Sequence, residues 1–431
     1  MAKISASKGF GALVFSSVFG AVLEWYDFIL YGVLSALVFN KLFFPHEDPR
    51  VGTLLAFTTF AIGFLARPIG GYVLGRLGDR IGRKPVLIIT MVIIGVSTGL
   101  MGCMPTYASI GVWAAFFLVL LRLIQGFALG GEFGGAVILV TETSAPEQRG
   151  WWASWPQAGG PAGVLLAVGT LSILSLFTTH EQFLAWGWRI PFFVSIIIAC
   201  WGLWMRHGVE ESPIYQEAAQ KAKATLQEPA WKVFEHPGPL LRAWGVRLLE
   251  NTAFYLFGIF VVSYATSEAV GFSRAVALHV AALGAAFQLV SILVGGWLSD
   301  LIGRKPVMLF ASIGLMIWAP IFFYLVDSHS MMTLYLAVVV GLTLHGLLAG
   351  PEAAWLIELF PTRHRYIGAS LAFQGSSIFA GGPAPLIASG LLILSGSTWP
   401  IVGYIILCGA VALIALALSD ETFRFDLRKN G

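Results

Sequence analysis

Glu24 and Asp27 stand three residues apart inside an apolar stretch, 13–39, with Tyr31 four residues beyond Asp27. Helical spacing puts all three on one side. A carboxylate at that depth in hydrocarbon costs several kcal/mol if it is charged and unpaired, so it must be protonated, paired or facing water. Taking up and releasing a proton is therefore the simplest chemistry it can perform, because its charge state depends on whether water or a cation is near. The matching cation is Arg122 in the stretch 108–142. There Arg122, Gln125, Leu129, Glu132 and Ala136 recur at helical spacing, setting a guanidinium and a carboxylate about two to three turns apart on one face. Gly126, Gly130 and Gly134 form a smooth ridge that a second helix can approach.

Arg67, in the stretch 51–77, is a further cation at membrane depth. A planar guanidinium can grip a carboxylate through two charge-assisted hydrogen bonds that Lys cannot reproduce. The second half of the chain offers Arg247, Glu250, Asn251, Gln288, His345, Glu352, Trp355 and Gln374, and the first half adds Gln157. Arg247 and Glu250 can pair with each other; His345, seven residues before Glu352, can meet a ligand or bridge helices. The expected proton-coupling group is thus Asp27, Glu24, Arg122 and Glu132. The expected substrate-binding group is Tyr31, Arg67, Arg122, Gln125, Gln157, Glu250, Asn251, His345, Glu352, Trp355 and Gln374.

The elements that must hold these residues are membrane helices. The chain of 431 residues is 57% apolar and only 11% charged, against about 25% charged for a soluble domain. Twelve stretches are long enough to span a bilayer: 13–39, 51–77, 85–104, 108–142, 151–177, 184–206, 242–268, 273–301, 306–326, 331–360, 365–394 and 398–419. Placing both termini in the cytoplasm leaves only Lys41, Arg50, Arg189 and Arg274 of the 26 basic residues outside, which favours that orientation. The net charge of +3 follows from this loop asymmetry and calls for no nucleic-acid partner. Cys103, Cys200 and Cys408 lack metal spacing and are expected to be inert packing thiols. No H-E-x-x-H pattern or nucleophile–base pair points to an enzyme, and no cofactor beyond the coupled proton is called for.

The chain is also duplicated. Gly75 to Pro85, G-R-L-G-D-R-I-G-R-K-P, returns at Gly296 to Pro306 as G-W-L-S-D-L-I-G-R-K-P. Leu23 to Gly32 aligns with Leu249 to Gly258, Gly159-Gly160-Pro161-Ala162 with Gly381-Gly382-Pro383-Ala384, and Glu132 with Glu352. Two like-oriented repeats place a site between them near mid-membrane, where one half rocks against the other. The expected organisation is a six-helix bundle over 1–206, a cytoplasmic linker over 207–241, a second bundle over 242–420 and a cytoplasmic tail over 421–431. In the paired hairpins Asp79 and Asp300 can meet Arg83 and Arg304 or the positive end of another helix, while Gly75 and Gly296 let helices come close.

These residues resemble the major facilitator superfamily, whose paired loop G-x-x-x-D-x-x-G-R-[KR] is met by both hairpins. Within it, the chain is similar to the metabolite:proton symporter family, through Glu24 to Phe28, Arg67 to Gly71, Arg122 to Gly126, Gly130 to Gly135, Trp186 to Pro191 and Glu358 to Arg363. The segments 25–45 and 178–192 look most like shikimate-type transporters. The resemblance implies an all-α membrane protein, twelve transmembrane helices in two six-helix repeat-related bundles, in the cell (inner) membrane and functional as a monomer. It implies proton-coupled symport of a small organic acid by alternating access, with Asp27 and Arg122 near each other across the cavity. It also implies that the hairpin contacts latch the outward-open state; the alternative is that the hairpins only fix orientation. Glu352 departs from the family, where Gln is usual. Uptake of a zwitterionic osmolyte of the betaine or proline type is the second transport reading, against which the short tail speaks, and a transporter-like receptor is a third.

Overall fold

An apolar run in lipid finds no water for its amides and must close its hydrogen bonds within itself. The computed structural model describes residues 10–34, 38–45, 49–207, 235, 237–267, 269–425 and 427, and among them there are long helices and no strand. The long helices are α1 (Phe10–Leu34), α2 (Pro49–Ile81), α3 (Arg83–Cys103), α4 (Trp113–Thr143), α5 (Arg149–Phe177) and α6 (Ile190–His207). The second set is α7 (Gly238–Ala265), α8 (Arg274–Ile302), α9 (Arg304–Val326), α10 (Met331–Glu358), α11 (Arg365–Ser395) and α12 (Trp399–Ala417). Eleven of them are long and apolar enough to cross a membrane, and α2 spans 33 residues although it carries Arg67, Arg76, Asp79 and Arg80.

Two helices depart from a regular α-helix. α7 passes through a π-helical turn at Tyr255–Phe260, and α11 breaks at Gly381-Gly382 before restarting at Pro383. Prolines 68, 156, 161, 320 and 351 sit inside helices, where neighbouring elements can satisfy the freed carbonyls. The expected linker 207–241 lies mostly outside the described residues, and α7 begins at Gly238, before the anticipated 242. Pro239 explains the earlier start, because proline is suited to a first helical turn. Cys103 and Cys200 are exposed on the bundle's surface and only Cys408 is buried, so two of the three are not packing thiols.

Helix packing repeats between the halves. α1 packs on α5 and α6, α2 on α4, and α3 on α4 and α6; correspondingly α7 packs on α11 and α12, α8 on α10, and α9 on α10 and α12. The α2–α4 crossing is glycine-mediated: a Cβ on Gly126 would come within 2.1 Å of the Gly63 carbonyl oxygen, and one on Gly130 within 2.1 Å of that of Arg67. The α8–α10 crossing repeats this, with Gly350 held against the Ile292 carbonyl. One apolar core gathers Tyr26, Leu30, Met91, Leu118 and Phe192, and a second gathers Phe257, Leu315, Phe322, Leu342 and Ile405. The two halves meet through α2 on α11 and α5 on α8.

Both hairpins lie at one end of the bundle, here called the hairpin face. Gly82 and Gly303 turn the chain between helices at φ 108° and 100°, a left-handed region that favours glycine and that both copies of the motif require. Residues 421–425 and 427 lie on this face. Glu421 accepts from the backbone amides of Arg304 and Lys305, each at 3.0 Å, and Thr422 donates to Glu358 at 2.6 Å. Further along, the Phe425 carbonyl accepts from Arg149 at 2.5 Å, and the Leu427 carbonyl from Thr362 at 3.0 Å and Arg365 at 3.3 Å.

Candidate functional site

In the first half, Asp27 on α1 is reached by Thr98 of α3 and Gln125 of α4, which donate to its Oδ2 at 2.6 and 3.1 Å. Gln125 Nε2 also donates to Thr98, and its Oε1 accepts from Arg122 Nη1 at 2.5 Å. The carboxylate and the guanidinium, expected near each other, are joined through one side-chain amide. Arg122 lies over the Tyr31 ring at 4.3 Å, and the Tyr31 hydroxyl shares a 2.7 Å hydrogen bond with Thr59. Glu24, three residues before Asp27, serves a different neighbour: its Oε1 is 3.4 Å from Arg67 Nη1 on α2. The Arg67 guanidinium also rests on the Phe64 ring at 4.7 Å. Glu132 accepts a hydrogen bond from Thr90 on α3.

The second half centres on Arg247 of α7. Its guanidinium lies 3.3 Å from Glu352 Oε1 on α10 and 3.2 Å from Glu250 Oε2, donates to Ser376 of α11 at 3.0 Å, and covers the Phe373 ring at 3.7 Å. His345 bridges helices, meeting Glu250 through Nε2 at 3.2 Å and Gln288 through Nδ1 at 2.8 Å. Asn251 donates to the Arg247 carbonyl and to Ser376.

Between these clusters lies a cavity of about 30 Å³, room for two or three waters at about 10–15 Å³ each, so admitting an organic molecule requires its walls to move. Arg67, Gln157, Gly160 and Pro161 line it from the first half, and Arg247, Glu250, Asn251, Gln288 and His345 from the second. Aromatic walls are supplied by Trp25, Phe254, Tyr255 and Phe373. Trp25 and Phe254 stack edge to face with centroids 4.9 Å apart, tying α1 to α7.

Five of the residues anticipated as ligands therefore line the cavity: Arg67, Gln157, Glu250, Asn251 and His345. Six do not. Tyr31, Arg122 and Gln125 sit behind its wall, and Glu352 lies behind Arg247. Gln374 donates to the Leu129 carbonyl on α4 and ties the halves together. Trp355 is fully buried in the second core. The reason is geometric: α10 is buried on several sides, so residues at helical spacing from His345 can share its stripe yet face a neighbouring helix rather than the cavity.

The hairpins join the halves. Asp300, at the end of α8, accepts from the first amides of α5, Gly150 at 2.9 Å and Trp151 at 2.7 Å, and pairs with Arg304 at 2.6 Å. Asp79, at the end of α2, meets α11 more loosely, accepting from the Ile367 amide at 3.3 Å with Arg83 at 3.7 Å. Gly75 and Gly296 are needed for these approaches: a Cβ on Gly75 would lie 2.8 Å from Ile367 Cα, and one on Gly296 2.5 Å from the Gly150 carbonyl. Two buried acids complete the network. Glu142 pairs with Arg365 of the other half at 2.8 Å and with Arg83 at 3.6 Å, while Glu358 meets Arg304 at 3.4 Å. The sequence does not single out Glu142, Arg149 and Arg365, and Glu358 enters only as part of a family motif, although E-x6-R occurs at both Glu142–Arg149 and Glu358–Arg365. Tyr366 adds a further tie, donating to the Gly131 carbonyl at 2.8 Å from a slot where a Cβ on Gly78 or Gly135 would strike its ring or hydroxyl.

Comparison with known proteins agrees with this architecture. The family model of the Major Facilitator Superfamily matches residues 52–382. The chain is 38% identical to the shikimate transporter of Escherichia coli (strain K12), over 93% of each chain. It is 33% identical to the proline/betaine transporter of Salmonella typhimurium (strain LT2), over 95% of this chain and 83% of that one. Among solved structures, the proton:xylose symporter XylE bound to 6-bromo-6-deoxy-D-glucose shares the fold, with a TM-score of 0.76 at 18% identity over 98% of each chain. Repeated helix packing, paired hairpins and full-length relatives lead to one conclusion: this multi-pass membrane protein belongs to the major facilitator superfamily and is a transporter.

Proposed function

We propose that the protein is a proton-coupled symporter of a small hydroxylated organic acid, lying in the inner membrane with its hairpin face and both termini in the cytoplasm. Charge balance around the cavity carries this reading. Among the described residues, mid-membrane positions hold five acids, Glu24, Asp27, Glu132, Glu250 and Glu352, against three arginines, Arg67, Arg122 and Arg247. Buried charge without a partner is strongly unfavourable, so an anion can enter such a site only with protons. Asp27 is the coupling acid: protonating it removes the negative charge that offsets Arg122 through Gln125, leaving the site more positive, so that proton and anion binding favour each other. Arg67 and Arg247 are the cavity's anion-binding groups, and the Gln157, Asn251 and Gln288 amides with His345 suit hydroxyl groups. The similarity to a shikimate transporter supports a ligand of this class.

A zwitterion is the second reading, because Trp25, Phe254 and Tyr255 beside Glu250 can receive a quaternary ammonium while Arg67 takes the carboxylate. Uptake of labelled shikimate into proteoliposomes under an imposed pH gradient, competed with glycine betaine and proline, separates the two. Accumulation that collapses with the gradient and resists betaine supports the acid; accumulation of betaine alone overturns it.

A further inference from the structure

We infer that the Arg247 cluster is a second proton-binding site, with Glu352 as the acid that carries the proton. One guanidinium there faces two buried carboxylates, at 3.3 and 3.2 Å, so a single positive charge cannot neutralise both. The two acids are not equivalent. Glu250 borders the cavity and also receives His345 at 3.2 Å, whereas among the described residues Glu352 has Arg247 as its hydrogen-bond partner and is fully buried. Its second oxygen, Oε2, is enclosed without a hydrogen-bond partner, and whereas Glu250 Oε2 at least lies 3.2 Å from Arg247, Arg247 meets Glu352 through Oε1. An unpartnered carboxylate oxygen at that depth is an unfavourable place for negative charge and a natural place for a proton, which converts it to a hydroxyl.

The surroundings leave few other ways to balance the charge. The groups that α5, α8 and α11 bring to the cavity wall are neutral: Gln157, Gln288 and Ser377, with Phe373 beside them. Across the cavity, Arg67 is already engaged by Glu24 at 3.4 Å. From its own helix Glu352 has His345, which Gln288 and Glu250 hold as a neutral bridge when Nδ1 accepts and Nε2 donates. With Glu352 protonated, Arg247 pairs with Glu250 alone and keeps donor capacity toward the cavity it lines. The second half thereby repeats with a direct acid–arginine contact what Asp27 and Arg122 do through Gln125. This inference rests on the proton-coupled reading above but not on the identity of the transported acid.

Infrared difference spectra of the purified full-length protein between acidic and alkaline buffer test it without substrate, through the carbonyl band of protonated carboxylic acids. Glu352→Gln should remove one component of that band that Asp27→Asn retains, and Glu352→Asp should keep it at a shifted position. In proteoliposomes the ratio of protons to solute taken up should then fall by one in Glu352→Gln. A Glu352→Gln spectrum that superimposes on the wild type overturns the proposal, and so does an unshifted band in Glu352→Asp should the Gln variant fail to fold. If the spectra behave as stated while shikimate is not transported, the substrate reading fails and the proton site stands.

Discussion

The two hairpin aspartates are equivalent in sequence but not in structure, and Asp300→Asn should perturb the transporter far more than Asp79→Asn. Asp300 accepts two short hydrogen bonds from the first amides of α5, at 2.9 and 2.7 Å. A hydrogen bond to a charged group is worth about 1.5–3 kcal/mol and a neutral one about 1 kcal/mol. Asparagine keeps one acceptor and turns an N–H toward the other amide, so the substitution removes one charged bond and weakens the second, about 3 kcal/mol in all. That shifts the balance away from the state closed at the hairpin face by roughly 100-fold, at about 1.4 kcal/mol per tenfold. Asp79 accepts from the Ile367 amide at 3.3 Å and also meets that of Tyr366, and losing these looser contacts is worth about 1 kcal/mol, roughly fivefold. Arg304 keeps Glu358 at 3.4 Å in the Asp300 variant, so no buried charge is abandoned. The assay is a spin-label distance distribution between exposed positions 76 and 301, each changed to Cys in a background without the three native cysteines. Asp300→Asn should move most of the population to longer distances and Asp79→Asn only a minor part. Equal shifts, or a larger one for Asp79→Asn, would refute the reasoning that hydrogen-bond geometry at these helix ends sets the gate.

Other substitutions test the remaining parts. Asp27→Asn should abolish proton-driven accumulation in proteoliposomes while leaving exchange of labelled for unlabelled solute, because the neutral amide mimics the protonated acid; accumulation with concurrent proton uptake would move the coupling role to Glu24 or Glu132. Arg67→Lys should weaken binding by about tenfold or more, since Lys cannot reproduce bidentate contact with a carboxylate, and titration calorimetry with shikimate would expose an unchanged affinity. Wild-type affinity for the anion should rise as pH falls, because proton and anion binding are linked, until the ligand itself protonates; a flat profile contradicts that coupling. Gly126→Ala should lower thermal stability by several degrees, because its Cβ would lie 2.1 Å from the Gly63 carbonyl and part α2 from α4. A melting temperature equal to that of the wild type would show that the crossing yields.

How much of this was legible in the sequence depends on what kind of signal each residue gives. Glu24, Asp27, Arg67 and Arg122 stand out because a charge inside an apolar run has few purposes, and the structure shows each engaged with a neighbour. The twelve-helix bundle follows from hydropathy and the repeat, and the hairpin glycines from the need for a left-handed turn. Gln125 as the link between Asp27 and Arg122 was not legible, since a stripe shows which residues share a face but not which helix lies opposite. For the same reason the sequence groups Trp355 and Gln374 with the ligands although they pack elsewhere. Glu142, Arg149, Glu358 and Arg365 lie at helix ends, where charges ordinarily set topology, and only folding reveals that Glu142 meets Arg365 across 223 residues. The aromatic walls were hidden by abundance, because a chain with 32 Phe and 15 Trp gives no reason to single out Trp25 or Phe254.

Residues 421–425 and 427 are gripped largely by their main chain. Arg149, Thr362 and Arg365 take hold of carbonyl oxygens at Phe425 and Leu427, which every amino acid offers equally. Side-chain chemistry matters mainly at Glu421 and Thr422, where the segment is pinned to α9 and α10. Such a strap is written in spelling length rather than in letters. Leu427 is buried and Phe423 lies against the Arg304 guanidinium, which limits composition there, yet length is the stricter demand: removing or adding a single residue after Thr422 would present each arginine with the wrong carbonyl, and the clasp would slip by a notch.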